Sequence, residues 1–294
     1  QDTSYGMKEK ETLRIGVHTL PKFTKDTTDR NRTSPFAFTG NKFEFRMLGS
    51  SASISDANVM INTSVAQSLK EFADLLENSE HFEADLHDLI KRTISEHKRI
   101  IFNGNGYDDR WIVEAERRGL LNLKSTPDCL PYLLHEKNVK LFTEHKVFSL
   151  EELRAQYEIQ MEAYCKIINI EALTLLNMVN KDILPAVSGF AEELCCAYNQ
   201  KKKTGLTLDL SYEEKLISSL SDLTGELNRK KSSLETAMES KESFDNIGEK
   251  ARYYKDVIFA SMNEIRKLVD EMEDKTRSTA WPYPTYGAIL FSVK

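Results

Sequence analysis

Residues 29–51 read DRNRTSPFAFTGNKFEFRMLGSS. Within this stretch Phe43, Phe45 and Met47 alternate with Lys42, Glu44 and Arg46, the two-residue period of a β-strand over about Lys42 to Leu48. Apolar side chains share one face of that strand and charged ones share the other, about 7 Å apart per step of two. Upstream, the polar run Lys25 to Ser34 predicts a loop leading to Phe36 and Phe38 and carrying Arg30 and Arg32. Earlier still, Leu13, Ile15 and Val17 alternate with Arg14, Gly16 and His18, a second half-buried strand that Pro21 ends. Two guanidinium groups, a lysine and a carboxylate near one strand face suit phosphate and a hard divalent cation. Without further context, however, a K-x-E-x-R strand is ordinary solvent-facing alternation.

Beyond Gly49 the period changes to that of helices. Ile61, Val65, Leu69, Phe72 and Leu76 fall at steps of three and four, and Leu86, Leu89, Ile90 and Ile94 continue the pattern. Asn103-Gly104-Asn105-Gly106 predicts a tight turn, because Asn-Gly pairs favour positive φ. A short helix from Asp109 to Arg118 should close at Gly119, with Pro127 and Pro131 punctuating the linker that follows. Ser149 with Glu152 spells a capping box at the head of a long helix, and Pro185 should kink or end that helix. A further helix runs on to Lys201-Lys202-Lys203, and Ser211 with Glu214 repeats the capping signature.

Two more apolar stripes then follow. Leu216, Leu220, Leu223, Leu227 and Leu234 form one, and Phe244, Ile247, Ala251, Tyr254, Ile258, Met262, Ile265, Val269 and Met272 form the other. Helices of this length joined by short connections pack as an antiparallel bundle, an intramolecular core being favoured over capture of an outside helix. At the end, Trp281-Pro282-Tyr283-Pro284-Thr285-Tyr286-Gly287 cannot be helical and predicts an extended aromatic tail against the body or a neighbouring subunit.

Composition removes several classes of function. A formal net charge of −6 with mixed signs offers no basic stripe, so nucleic acid is not an expected partner. The 294-residue chain has no window apolar enough for a membrane span and no signal sequence, and it reads as cytoplasmic. Cys129, Cys165, Cys195 and Cys196 lack metal-site spacing and are expected as reduced, buried or half-buried thiols. None of the six histidines forms an H-E-x-x-H or an i, i+4 pair, and His18 alone lies near the candidate strand. The acidic runs Asp85 to Asp88 and Glu213-Glu214 read as solvated helix faces or caps. Gln1-Asp2-Thr3-Ser4-Tyr5-Gly6 carries no initiator methionine and reads as the start of a piece of a longer protein.

NRTSPFAF followed at short distance by TGNKFEFR resembles the late catalytic segment of glutamine synthetases, and the spelling KDTTDRNRTSPFAFTGNKFEFRMLGSS resembles their type III branch. RIIFNGNGY at Arg99 to Tyr107, EAERRGL at Glu114 to Leu120 and WPYPTYG at Trp281 to Gly287 extend the likeness along nearly the whole chain. The resemblance implies an α+β fold, mostly helical, in which a few antiparallel strands from the end of the catalytic sheet precede a helical bundle. It divides the chain into residues 1–124, the C-terminal part of the catalytic domain, and residues 125–294, a helical domain with an aromatic tail. It also implies ATP-dependent amidation of glutamate with ammonia through γ-glutamyl phosphate, with Mg2+ or Mn2+.

By that likeness Glu44 is the strand carboxylate that ligates the metal, Arg46 steadies the transferred phosphoryl group and Arg32 contacts phosphate and substrate. Lys42 stands where other branches have a nucleotide-contacting arginine. Ala37 stands where those branches carry a second arginine, so that contact is either absent or supplied from elsewhere, with Arg30 as the candidate. Remaining ligands are expected from the upstream part of the chain and from the next subunit of a homo-oligomer of stacked hexameric rings, so the isolated chain is expected to be inactive. Two other readings stay open. One is a related ligase joining glutamate to amines, and the other is a helical half that acts only in oligomerisation or regulation.

Overall fold

In the computed structural model, which describes residues 12–13, 23–24, 36–38, 43–46, 49, 52–102, 108–240, 244–284 and 286–291, Ser149 opens the dominant element. Its hydroxyl accepts from the Glu152 amide at 3.2 Å, and the Glu152 carboxylate accepts from the Ser149 amide at 2.8 Å. This closes the expected capping box and satisfies amides that the first helical turn leaves unpaired. Helix then runs from Leu150 to Met178 (α6), through a π-helical turn at Val179–Ile183, into a helix at Leu184–Lys203 (α7). The helical path is therefore continuous from Leu150 to Lys203, roughly 80 Å at 1.5 Å per residue.

Pro185 neither ends this rod nor interrupts it with a loop. It falls in the first turn of α7, and in the preceding π turn the Leu184 amide reaches back to the Val179 carbonyl. The wider turn admits a residue without an amide where an α turn would demand one.

Ser211–Glu239 (α8) returns antiparallel along α7, joined at one end by a Tyr198 to Glu214 hydrogen bond of 2.6 Å and farther along by Lys231 to Asn180 at 3.0 Å. Ile247–Tyr253 (α9), a second π turn at Tyr254–Phe259 and Ala260–Lys275 (α10) form the third rod. That rod runs parallel to the first, since Tyr254 meets Asn169 near its start and Arg277 meets Glu193 just beyond its end. Between the rods lies one continuous core that includes Met161, Ile168, Val179, Val187, Leu220, Leu227, Leu234, Ile258, Ile265 and Met272. The apolar stripes of α8 and α9–α10 thus face inward as their spacing predicts.

Smaller elements close the end of this bundle. Thr126–Cys129 (α4) and a 3-10 turn at Leu130–Leu134 set Leu130 into the core, and Asp128 pairs with Lys255 at 2.8 Å. In Glu136–Glu144 (α5), Phe142 is buried against Phe148, with ring centroids 5.7 Å apart.

The capping signature at Ser211 misleads. Ser211 is the first helical residue, its amide donates to Asp209 at 3.0 Å, and the Glu214 carboxylate is taken by Tyr198. Glu213 is buried and paired with Lys201, not solvated.

The chain divides into two compact units, Gln1–Asn122 and Leu123–Lys294. In the first unit, strands Thr12–Leu13 (β1) and Phe23–Thr24 (β2) pair antiparallel, as do Phe36–Phe38 (β3) and Phe43–Phe45 (β4). Ser55–Leu76 (α1) contacts Phe82–His97 (α2), and Asp109–Arg117 (α3) ends as expected at Gly119, whose φ is +71°. Val65, Leu69, Ile90 and Ile94, members of the apolar stripes on these helices, are about half exposed or more. Thr63 and Leu89 are the buried residues of these two helices, because a pair of helices alone encloses little. The predicted turn at Asn103 to Gly106 lies outside the described residues.

Candidate functional site

The β3–β4 ladder pairs Phe36 with Phe45, Ala37 with Glu44 and Phe38 with Phe43. Position 37, where other glutamine synthetase branches are expected to carry an arginine, therefore lies directly across the ladder from Glu44. Arg46 follows Glu44 by two residues, and its Nη2 donates to Glu44 Oε2 at 2.6 Å. Each of the two side chains is about one-third exposed. A guanidinium and a carboxylate two residues apart project from the same side of extended backbone, which is why a pair so close in sequence can form. The expected site residues Arg30, Arg32 and Lys42 lie outside the described residues, as does His18.

The sequence segments that carried the resemblance also acquire physical reasons. Arg118, in EAERRGL, donates to the carbonyl oxygens of Ile101 at 2.9 Å and Arg99 at 3.3 Å, in RIIFNGNGY. Its Nε binds Glu114 at 2.6 Å, and its guanidinium lies 5.3 Å from the centroid of the Trp111 ring. Trp111 in turn stacks on Phe102 at 3.8 Å. One arginine thus ties the end of the 3-10 turn Lys98–Ile100 to α3. Arg117 and Arg118 hold the Glu114 carboxyl down to about 2, well below the ordinary carboxylate range. The third segment, WPYPTYG, folds against the bundle: Trp281 is buried in its core and Tyr283 donates to Asp182 of the π turn at 2.9 Å. Burial and that hydrogen bond push the Tyr283 hydroxyl up to about 12. The segment is not extended throughout, since a short helix, Tyr286–Leu290 (α11), begins after its second proline.

No group of three or more histidine, cysteine, aspartate or glutamate side chains suited to a metal ion occurs among the described residues. Glu44 supplies a single carboxylate, and Arg46 already occupies one of its oxygens. The described residues therefore do not fit a divalent ion by themselves, since Mg2+ asks for six oxygen ligands. No described helix is long and apolar enough to cross a membrane. The four cysteines are free. Cys165 is buried and Cys195 half-buried as expected, while Cys129 and Cys196 are exposed.

Residues 85–202 match the glutamine synthetase C-terminal domain family, a span that covers most of α2 and all of α3 to α6 and extends through nearly all of α7. The helical architecture and this match define the class that residues 85–202 are similar to, a helical glutamine synthetase C-terminal domain. Over 277 residues, 92% of its length, the chain is 39% identical to a glutamine synthetase of Butyrivibrio fibrisolvens, of which it covers 39%. It is 37% identical over 289 residues to a type-3 glutamine synthetase of Dictyostelium discoideum, covering 94% of this chain and 39% of that one. A glutamine synthetase of Bacteroides fragilis is 30% identical over 296 residues, 97% of this chain and 40% of the relative. The chain is thus similar along nearly all its length to proteins named glutamine synthetase, and the resemblance to the type III branch holds. The chain spans about two-fifths of the length of the curated relatives it matches.

Arg118, Asp182 and Tyr283 were not singled out by sequence. Arg118 reaches carbonyls 17 and 19 residues away and Tyr283 reaches a carboxylate 101 residues away, and no local pattern encodes such partners. For Arg118 the signal available was its place in a segment already recognised by its spelling.

Proposed function

We propose that this chain forms one wall of the phosphate and metal site of a glutamine synthetase, an ATP-dependent ligase that joins ammonia to glutamate. The observation that carries the reading is the Glu44–Arg46 pair on β4, in a chain similar along its length to proteins named glutamine synthetase. In the proposed reaction an oxygen of the glutamate side-chain carboxylate attacks the γ-phosphorus of ATP, and the bond to the bridging oxygen breaks to release ADP. Ammonia then attacks the acyl carbon of γ-glutamyl phosphate, the carbon–oxygen bond to phosphate breaks, and a proton leaves the new amide nitrogen. Negative charge gathers on the transferred phosphoryl oxygens. Arg46 and Arg32 are assigned to neutralise it and hold it in line, and Lys42 and Arg30 to hold the nucleotide phosphates.

Glu44 is assigned as one oxygen ligand of a Mg2+ or Mn2+ set whose other members come from sequence outside this chain. One carboxylate does not hold the ions such chemistry needs, so the chain alone is proposed to be inactive, and cytoplasmic homo-oligomeric rings of the complete protein are part of the same reading. A γ-glutamyl hydroxamate assay on the 294-residue chain tests this. Turnover no greater than that of Glu44→Gln is expected, and turnover well above that variant would contradict it. The self-contained core of residues 123–294 favours a second role for that unit, assembly without chemistry. Comparing ammonia with polyamines as acceptors in the complete protein separates glutamine synthesis from a related amine ligase.

A further inference from the structure

The rod from Leu150 to Lys203 passes through the π turn Val179–Ile183 just beyond its midpoint. A π turn spreads its pairing over one extra residue, and Pro185 follows it with no amide to offer the Lys181 carbonyl four residues earlier. The turn therefore depends on side chains more than the α-helix on either side of it does. Val179 and Ile183 fix its inner face, at 0 and 2% exposed. Two polar residues fix it elsewhere. Lys231 of α8 donates to Asn180 Oδ1 at 3.0 Å, and Tyr283 donates to Asp182 Oδ2 at 2.9 Å.

Tyr283 belongs to none of the three rods. Backbone turns extended at Thr276, where α10 ends, and the chain then runs back along α7. Arg277 meets Glu193 at 2.9 Å and lies 5.6 Å from the centroid of the Phe190 ring, Trp281 is buried in the core, and Tyr283 arrives at Asp182. The path from the level of Glu193 to that of Asp182 covers roughly 16 Å of rod at 1.5 Å per residue. Tyr283 stands edge-on to Trp281, with ring centroids 6.5 Å apart. Pro282 and Pro284 stiffen the backbone on both sides of it, which lowers the entropy cost of aiming its hydroxyl. The second π turn, Tyr254–Phe259, is held differently, by Asn169 of α6 and Asp128 of α4, both in helices packed within the bundle. The first is held on one flank by a segment that can lift away without unpairing any rod.

We propose that Tyr283 is a latch on a hinge in the long rod, with Trp281 as its pivot. Closed on Asp182, the latch keeps α6 and α7 in their present alignment. Open, it frees the turn at Val179–Ile183 to bend while the three rods stay folded. The middle of the rod is thereby coupled to the segment that leads on to α11. The proposal stands apart from the chemistry assigned to Glu44 and Arg46.

Hydrogen exchange on the 294-residue chain, read by mass spectrometry, tests it. Tyr283→Phe keeps the ring and removes the hydroxyl, and it should speed exchange of the 179–184 amides about tenfold or more, the loss expected for a hydrogen bond to a carboxylate. Amides of α8 and α10 should keep their rates. Asp182→Asn retains an acceptor for the hydroxyl and should stay within about threefold of the unaltered chain. Asp182→Ala should match Tyr283→Phe, and the two combined should go no further than either alone, because each opens the same latch. Unchanged exchange at 179–184 in Tyr283→Phe, an acceleration that spreads equally to α8 and α10, or a double variant whose effects add would overturn the proposal.

Discussion

Ser149 shows what a single residue can reveal. Its hydroxyl and the Glu152 carboxylate exchange hydrogen bonds with each other's amides, a motif contained in four residues and so readable from sequence. Ser149→Ala should cost about 1 kcal/mol, seen as a lower urea midpoint with an unchanged slope. The same spelling at Ser211 fails because Asp209, two residues earlier, takes the amide and a tyrosine from another helix takes the glutamate. Tyr283 was visible only as part of an aromatic tail, and its partner Asp182 was not visible at all. Its hydroxyl titrates near 12 when folded against an ordinary value of 10.0, so the folded state favours the protonated form. The stabilisation is complete below pH 10 and is lost as pH rises toward 12. Tyr283→Phe should abolish that alkaline loss, measured as thermal midpoint against pH. Glu114 has the opposite sign. Held near 2 against an ordinary 4.5, it contributes above about pH 4.5 and loses that contribution as pH falls toward 2, a dependence that Glu114→Gln removes.

At the scale of elements, periodicity names a stripe but not what covers it. Leu227 and Leu69 both sit on regular apolar stripes, yet Leu227 is fully buried among three rods and Leu69 is 60% exposed on α1. Leu227→Ala should cost roughly 2–5 kcal/mol and Leu69→Ala less than about 0.5 kcal/mol, by urea denaturation of each. The difference depends on the third rod, which returns to α6 across more than eighty residues of sequence, as the Tyr254 to Asn169 hydrogen bond records. Pro185 teaches a related lesson. Sequence correctly identifies a missing amide, but a single π turn before the proline absorbs it, and the choice between loop, kink and wide turn rests on packing of Val179 and Ile183 in the core.

For the whole molecule, two units differ in how much core each encloses. Residues 123–294 share one continuous cluster of buried side chains, whereas α1 and α2 of residues 1–122 expose most of theirs. Native-state hydrogen exchange on the chain should find the slowest amides in α6, α8 and α10 and markedly faster exchange in α1 and α2. The candidate site was legible only in part. The strand period around Glu44 was local, while the reason to read it as more than a solvated face came from the spelling of residues 29–51 as a unit.

The most direct measurement replaces the matching segment of the Butyrivibrio fibrisolvens relative with this chain and follows γ-glutamyl hydroxamate formation. The chimera should turn over, and Glu44→Gln within it should lower the rate by about a hundredfold or more, as loss of a directly acting group does. A chimera that turns over equally well with Glu44→Gln would contradict the assignment of this strand to the phosphate and metal site.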